Sequence, residues 1–356
     1  MDLEKLVKAN IRDIMVYEPG EDQDKHVKLS SNENPLGPHP KIVAAVTDAL
    51  LTANRYPASG SPRLVKALAA RHGVSPREIM VGNGSNEIID LLVRAFVADD
   101  ENVVFPVPSF IVYGLIPKQC GCAAIGVDCK DYRLDLPAMK AAVNDKTRMV
   151  FICNPNNPTS TYVTRQEIDA FLDGLRDDIL VVLDEAYIDY VDAADYPDSL
   201  ELRKRRNSIV ALRTFSKFHS IASIRVGYAI ADPVVVDALH KMRQPFNVSH
   251  LAQVAAEAAL ECADDLAPRA DEVRHERERV REALNGLGMA CPPSQANFVF
   301  VDLGESDRDL FAELFDYGII VRRMGQFGAS KNSYRITIGT REENDRLLGA
   351  LRKIYG

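Results

Sequence analysis

Short, unbroken apolar runs that each stop at a polar residue constrain this chain more than anything else in it. RMVFIC at 148–153 runs into NPNNPTS, ILVVLD at 179–184 into EAY, and SIVALRT at 208–214 into FSK. IMV at 79–81, NVVFP at 102–106, GCAAIGVD at 121–128 and RVGYAIA at 225–231 are further strand-like runs, with helical stretches between them. Continuous apolar strands separated by helices are what a mostly parallel sheet covered on both faces produces. At 356 residues the chain exceeds one ordinary domain, so a second unit is expected.

The flanks read differently. A short helical pattern at 2–10 precedes KLSSNENPLGPHP, a turn-rich loop. PKIVAAVTDALLT and PRLVKALAARHG follow as helices, the second with Gly73 as its C-cap. Beyond PFNVS at 245–249 the texture changes. Residues 251–287 read as helical and charged, and NFVFVDL and SYRITIG as strands around the helix DRDLFAELFDYG. This predicts a separate α+β unit from about residue 245.

Composition narrows the function. A net charge of −8 argues against a nucleic-acid partner, and RKRR at 203–206, the one dense basic run, reads as solvated surface. The six cysteines lack zinc-site spacing and read as reduced thiols of a cytoplasmic protein. There is no apolar leader, and no run approaches the ~18 apolar residues of a membrane span.

Ligands of open parallel sheets sit at the carboxyl ends of the strands, where this chain collects its unusual polar residues. GNGSNE at 82–87 is either a tight capped turn or, through Ser85 and the free N–H groups of a helix start, a phosphate cradle. Asp184 ends an apolar strand, as a cap or as the partner of a cationic ring nitrogen, with Tyr187 close behind. Asn157, between prolines, is a turn former or a fixed amide. Lys217 is a loop lysine or, if buried beside another cation such as Arg225, an amine with a lowered pKa that attacks a carbonyl. Groups for phosphate, carbonyl and ring nitrogen together describe pyridoxal phosphate.

With these residues in view, the chain resembles the fold-type I pyridoxal-phosphate-dependent aminotransferases and, among them, the histidinol-phosphate aminotransferase family. The matching segments run in family order over nearly the whole chain. They are KLSSNENPLGP, YPASG, VGNGSNEIIDLL, NPNNPT, DEAY, TFSK, RVGY, PFNV and YRITIGT. The resemblance implies a seven-stranded, mostly parallel sheet in a large domain at 33–244. It implies a small domain at 245–356, joined by an N-terminal arm at 1–32.

It also implies roles. Lys217 matches the lysine that bonds the cofactor, Asp184 the partner of the ring nitrogen, and Asn157 and Tyr187 the groups at the ring's 3′-oxygen. Ser85, Asn86, Thr214 and Arg225 match the phosphate cradle, and Phe110 the stacking aromatic. Tyr56 matches a tyrosine that reaches the neighbouring subunit's cofactor, so a homodimer is implied. Arg335, Arg322 and Tyr17 match substrate-side positions, with glutamate and imidazole-acetol phosphate as the small-molecule substrates.

The chain departs from the family pattern at Ser160, where glycine is usual, and at His219, Ser220 and Ser223, where a tyrosine and two glycines are usual. Lost glycines restrict the backbone and predict a reshaped loop. Three other activities fit the pattern: an aromatic aminotransferase, a threonine-phosphate decarboxylase and a non-catalytic binding protein on the same scaffold.

Overall fold

The computed structural model describes residues 3–12, 14, 16 and 25–356. Its strands, in chain order, begin with β1 (Val27–Lys28), β2 (Ile79–Gly82), β3 (Asn102–Val107) and β4 (Ala123–Asp128). Next come β5 (Thr147–Cys153), β6 (Leu180–Asp184), β7 (Ile209–Thr214) and β8 (Gly227–Ile230). The last are β9 (Phe298–Asp302), β10 (Ile319–Ile320), β11 (Arg322–Arg323) and β12 (Ser333–Thr337).

Strands β2 to β8 form one seven-stranded sheet in the order β2-β8-β7-β6-β5-β3-β4. The pairs from β7 through β4 are parallel, while β8 runs antiparallel to both of its neighbours. Alternate residues of β5 show why its run had to be wholly apolar. Met149, Phe151 and Cys153 enter one buried cluster, and Val150 and Ile152 enter another across the sheet. A three-stranded antiparallel sheet, β11-β12-β9, and a short parallel pair, β1 with β10, complete the framework.

Local chemistry sets the boundaries. The helix Pro62–His72 starts on proline and ends at Gly73, whose φ of 64° is the left-handed stop that glycine favours. The helix Arg165–Leu172 opens with a capping box between Thr164 and Glu167. Other boundaries differ from the sequence reading. The pattern at 2–10 divides into a 3-10 turn, Leu3–Leu6, and a single helical turn, Ala9–Arg12. The stretch 251–287 divides at Cys262 into two helices, His250–Glu261 and Ala263–Gly286.

The basic run at 203–206 also needs correcting. Lys204 and Arg205 are exposed, but the Arg203 and Arg206 side chains are only 8% and 11% exposed. Arg203 donates to Glu78 at 2.9 Å, and Arg206 donates to the carbonyls of Leu175 and Arg176. Guanidinium stems are buried at low cost when carbonyls and carboxylates receive their N–H groups. Among the described residues no helix is long and apolar enough to cross a membrane.

Candidate active site

Because β8 is reversed, its first residue lies beside the last residue of β7, with Thr214 opposite Gly227, and Gly227 faces Gly82 at the end of β2. Cys153 and Asp184 are also register partners at the ends of β5 and β6. One edge of the sheet therefore gathers all these termini. Above it lies a cavity of about 300 Å³ lined by Lys217, Asp184, Asn157, Tyr187, Phe110, Ser85, Asn86, Thr214, Arg225, Arg322 and Arg335. Residues far apart in sequence that were proposed separately thus meet in one place.

Lys217 stands in the loop between β7 and β8. Its Nζ donates to the Ser31 carbonyl at 3.2 Å and lies 5.7 Å from the centroid of the Tyr187 ring. Burial lowers its pKa from the ordinary 10.5 to about 7, and the Arg335 and Arg225 cations push the same way against Glu33 and Asp184. At neutral pH a large share of this amine is unprotonated and nucleophilic, unlike an exposed lysine.

Asp184 is 2% exposed. Burial raises its carboxyl to about 6, opposed by hydrogen bonds from the Tyr113 hydroxyl at 2.5 Å and the Ala186 N–H at 3.2 Å. A carboxylate held there suits a cation brought in by a ligand, because a paired charge no longer bears the full cost of burial.

The phosphate end is assembled from backbone. The helix Gly84–Phe96 begins at the end of β2, and its N-cap Asn83 makes no side-chain capping bond. Arg225, at φ 60°, folds over this helix start. A Cβ on Gly84 would lie 2.6 Å from the Arg225 guanidinium, and one on Gly227 would lie 2.6 Å from the Ser85 nitrogen. Only glycine permits so close an approach. A guanidinium beside the positive end of a helix is an electrostatic mismatch that a bound anion resolves. Thr214 donates to Ser216 at 3.0 Å, and Ser216 lies 3.4 Å from Arg225, so the hydroxyls complete the cradle.

On the opposite wall Arg322 and Arg335 are direct partners across β11 and β12, each 8% exposed. Arg335 donates to Asn157 and to the Ser30 carbonyl, both at 2.6 Å, and Arg322 lies 5.5 Å from the Phe327 ring. Like charges directly opposite in a sheet are destabilising, and an anionic ligand turns that cost into binding. Tyr187 accepts from Asn32 at 3.0 Å, and Phe110 sits edge-on to Tyr113 with 5.7 Å between centroids.

Two predicted positions are not among the described residues of this cavity. Tyr56 is 83% exposed, stacked on Phe246 at 4.8 Å, and lines a separate open cavity with Asn83 and Arg225. Tyr17 lies outside the described residues. The expected reshaping of the backbone does not occur at Ser160 or Ser220. With φ of 61° and 60°, both serines hold the left-handed conformation that glycine would adopt.

Sequence reasoning missed Tyr113, Asn32, Ser216 and Glu33. Ser216 and Glu33 line the cavity within motifs already singled out, TFSK and NENP. Asn32, at φ 53°, lies in the same segment, but nothing in it marked the residue that donates to Tyr187. Tyr113 sits in an apolar helix with nothing in its neighbours to mark it.

A buried amine, a buried carboxylate and a glycine-lined helix start at one end of such a sheet suit a cofactor-dependent enzyme. The chain belongs to the aminotransferase class I and II family, whose model matches residues 24–351. It is similar to histidinol-phosphate aminotransferase 2 of Pseudomonas fluorescens, 42% identical over 364 residues that cover 99% of this chain and 98% of that one. It is also similar to the aromatic amino acid aminotransferase of Rhodococcus jostii, 43% identical and covering 96% and 94% of the two chains. Among solved structures, histidinol-phosphate aminotransferase from Sinorhizobium meliloti, in complex with pyridoxal-5′-phosphate, superposes with a TM-score of 0.89. That chain is 27% identical, with 98% of each chain covered.

Proposed function

We propose that this chain transfers an amino group from glutamate to imidazole-acetol phosphate, giving histidinol phosphate and 2-oxoglutarate. The observation that carries the reading is the buried pair Arg322 and Arg335 facing a low-pKa lysine across one cavity. Two guanidinium groups beside a reactive amine suit substrates with an anion at one or both ends, such as glutamate and a phosphorylated ketone.

The cofactor is pyridoxal 5′-phosphate, and the residues present fit it. Arg225, Thr214, Ser85 and Asn86 would hold its phosphate, Asp184 its ring nitrogen, Asn157 and Tyr187 its 3′-oxygen, and Phe110 its ring face. When bound, this group supplies an electron sink that makes the substrate Cα–H bond acidic. Lys217 would hold the cofactor through its amine, and the freed amine would take the proton from the substrate Cα and return it on the cofactor side. Asp184 holds the proton on the ring nitrogen. Arg335 orients the substrate carboxylate, and Arg322 with Arg335 receives the phosphate. The exposed Tyr56 supports a homodimer in which it reaches the partner's cradle.

The pairing of β1 with β10 supports an arm, residues 1–32, that joins the 245–356 unit over a 33–244 cofactor domain. A cytoplasmic location is part of the same reading.

A panel of acceptors tests the substrate. With glutamate as donor, imidazole-acetol phosphate should give a higher kcat/KM than phenylpyruvate, and Arg322→Ala should lower the first far more than the second. A wild type that prefers phenylpyruvate would move the chain to the aromatic enzymes, which are equally near relatives. Release of carbon dioxide from threonine phosphate would make it a decarboxylase.

A further inference from the structure

We infer that Tyr113 is a positioning residue that fixes Asp184 for the cofactor's ring nitrogen, a role that rests on the cofactor site described above. Tyr113 lies in the helix Val112–Cys120, fully buried, with its ring stacked on Phe151 at 4.7 Å and 14°. Its hydroxyl reaches across to the end of β6 and donates to Asp184 Oδ2 at 2.5 Å. The other oxygen, Oδ1, takes only the longer bond from the Ala186 N–H at 3.2 Å and belongs to a residue that lines the cavity. The short side-chain bond to Oδ2 is thus the stronger of the two that fix the carboxyl group at the cavity wall.

The groups around Asp184 make this donor matter. Cys153, its register partner on β5, is a thiol that burial pushes up to about 12, so it stays neutral. Glu185, next in sequence, is a second buried carboxyl whose charge disfavours ionisation of Asp184. Tyr187 is buried and neutral, its own pKa raised by burial. Lys217, from the loop after β7, favours ionisation of Asp184 only weakly and is consumed when it bonds the cofactor. Among side chains, Tyr113 is then the neutral donor that keeps Asp184 a carboxylate, and a carboxylate is what keeps a proton on the ring nitrogen. Without it, Asp184 competes for that proton and the electron sink weakens.

The test reads the ring nitrogen directly. Wild type and Tyr113→Phe, a change that preserves the stack on Phe151, are reconstituted with pyridoxal phosphate labelled with nitrogen-15 in the ring. The nitrogen resonance is then recorded at one pH. The wild type should report a protonated ring, and Tyr113→Phe should move the signal toward the neutral position. Cofactor affinity should also fall about tenfold or more in the variant, the usual scale for a lost hydrogen bond to a charged group. That loss should vanish with an analogue carrying carbon in place of the ring nitrogen. An unchanged resonance, or an equal loss of affinity for both cofactors, would overturn the role and leave Tyr113 as packing. A wild type that does not hold pyridoxal phosphate on Lys217 would instead sink the cofactor-site assignment.

Discussion

Two buried pairs of charged side chains, one on each sheet, differ in sign and in purpose. On the large sheet Arg213 Nε meets Glu185 Oε2 at 2.8 Å, and Ser199 donates to the same oxygen at 3.0 Å. On the small sheet Arg322 and Arg335 stand opposite each other with the same charge. The first pair is complete within the chain and anchors the end of β7. The second pair lines the cavity beside Lys217. Burial alone therefore does not separate a structural charge from a functional one; the sign of its neighbour does.

Breaking each pair should expose that difference. Glu185→Ala leaves Arg213 without its carboxylate and should cost about 3–5 kcal/mol of stability in chemical denaturation. Arg335→Met removes a cation from the like-charged pair together with its hydrogen bonds to Asn157 and the Ser30 carbonyl, and should cost less stability than Glu185→Ala because relief of repulsion offsets part of that loss. Its kcat/KM should nevertheless fall by the equivalent of about 2–5 kcal/mol. Equal loss of stability in the two variants would erase the distinction.

The same cation should be visible in the titration of Lys217. Only the unprotonated amine attacks, so the rate at which the apoenzyme captures the cofactor should rise with pH through about 7 and then level off. In Arg335→Met the inflection should move upward toward the ordinary 10.5, since one of the cations that lower it is gone. Linkage gives a second readout. The folded chain holds fewer protons on Lys217 than the unfolded chain between pH of about 7 and 10.5, so this residue makes apoenzyme stability rise with pH across that window. Lys217→Met should remove that contribution.

The smallest expected effect is at Ser220, where a left-handed backbone and a buried hydroxyl without a partner coincide. Ser220→Gly should stabilise the protein by about 1 kcal/mol, measured by thermal unfolding at fixed cofactor concentration.

What was legible in the sequence follows from where each residue sits. Asp184 and Lys217 could be read because apolar strands announce their own ends, and a polar residue at or just past such an end has few other reasons to be there. Arg322 and Arg335 needed the family resemblance, since β11 is two residues long and its pairing with β12 leaves no periodic trace. Tyr113 was hidden because a tyrosine among Val112, Leu115 and Ile116 looks like core, and its hydroxyl gains meaning only when the helix packs against the end of β6. Arg203 and Arg206 misled for the opposite reason. A dense basic run reads as solvent-facing, but here the loop carbonyls of Leu175 and Arg176 lie within reach of Arg206 and Glu78 within reach of Arg203.

The reversed strand β8 has a consequence for how the site comes together. A parallel strand would have sent the chain to the far side of the sheet before returning. The hairpin instead closes residues 215–226 locally, with the Phe215 N–H bonded to the Val226 carbonyl at 3.1 Å. Lys217 and Arg225 are thus brought face to face by a short loop whose closure costs little chain entropy. Arg335 must be fetched from more than a hundred residues downstream. Within the cofactor cradle the Lys217–Arg225 loop is thus the local part, while Ser85 and Asn86 come from far upstream as Arg335 comes from far downstream. Contacts of low sequence separation tend to form early, so this loop should close before either distant segment joins it.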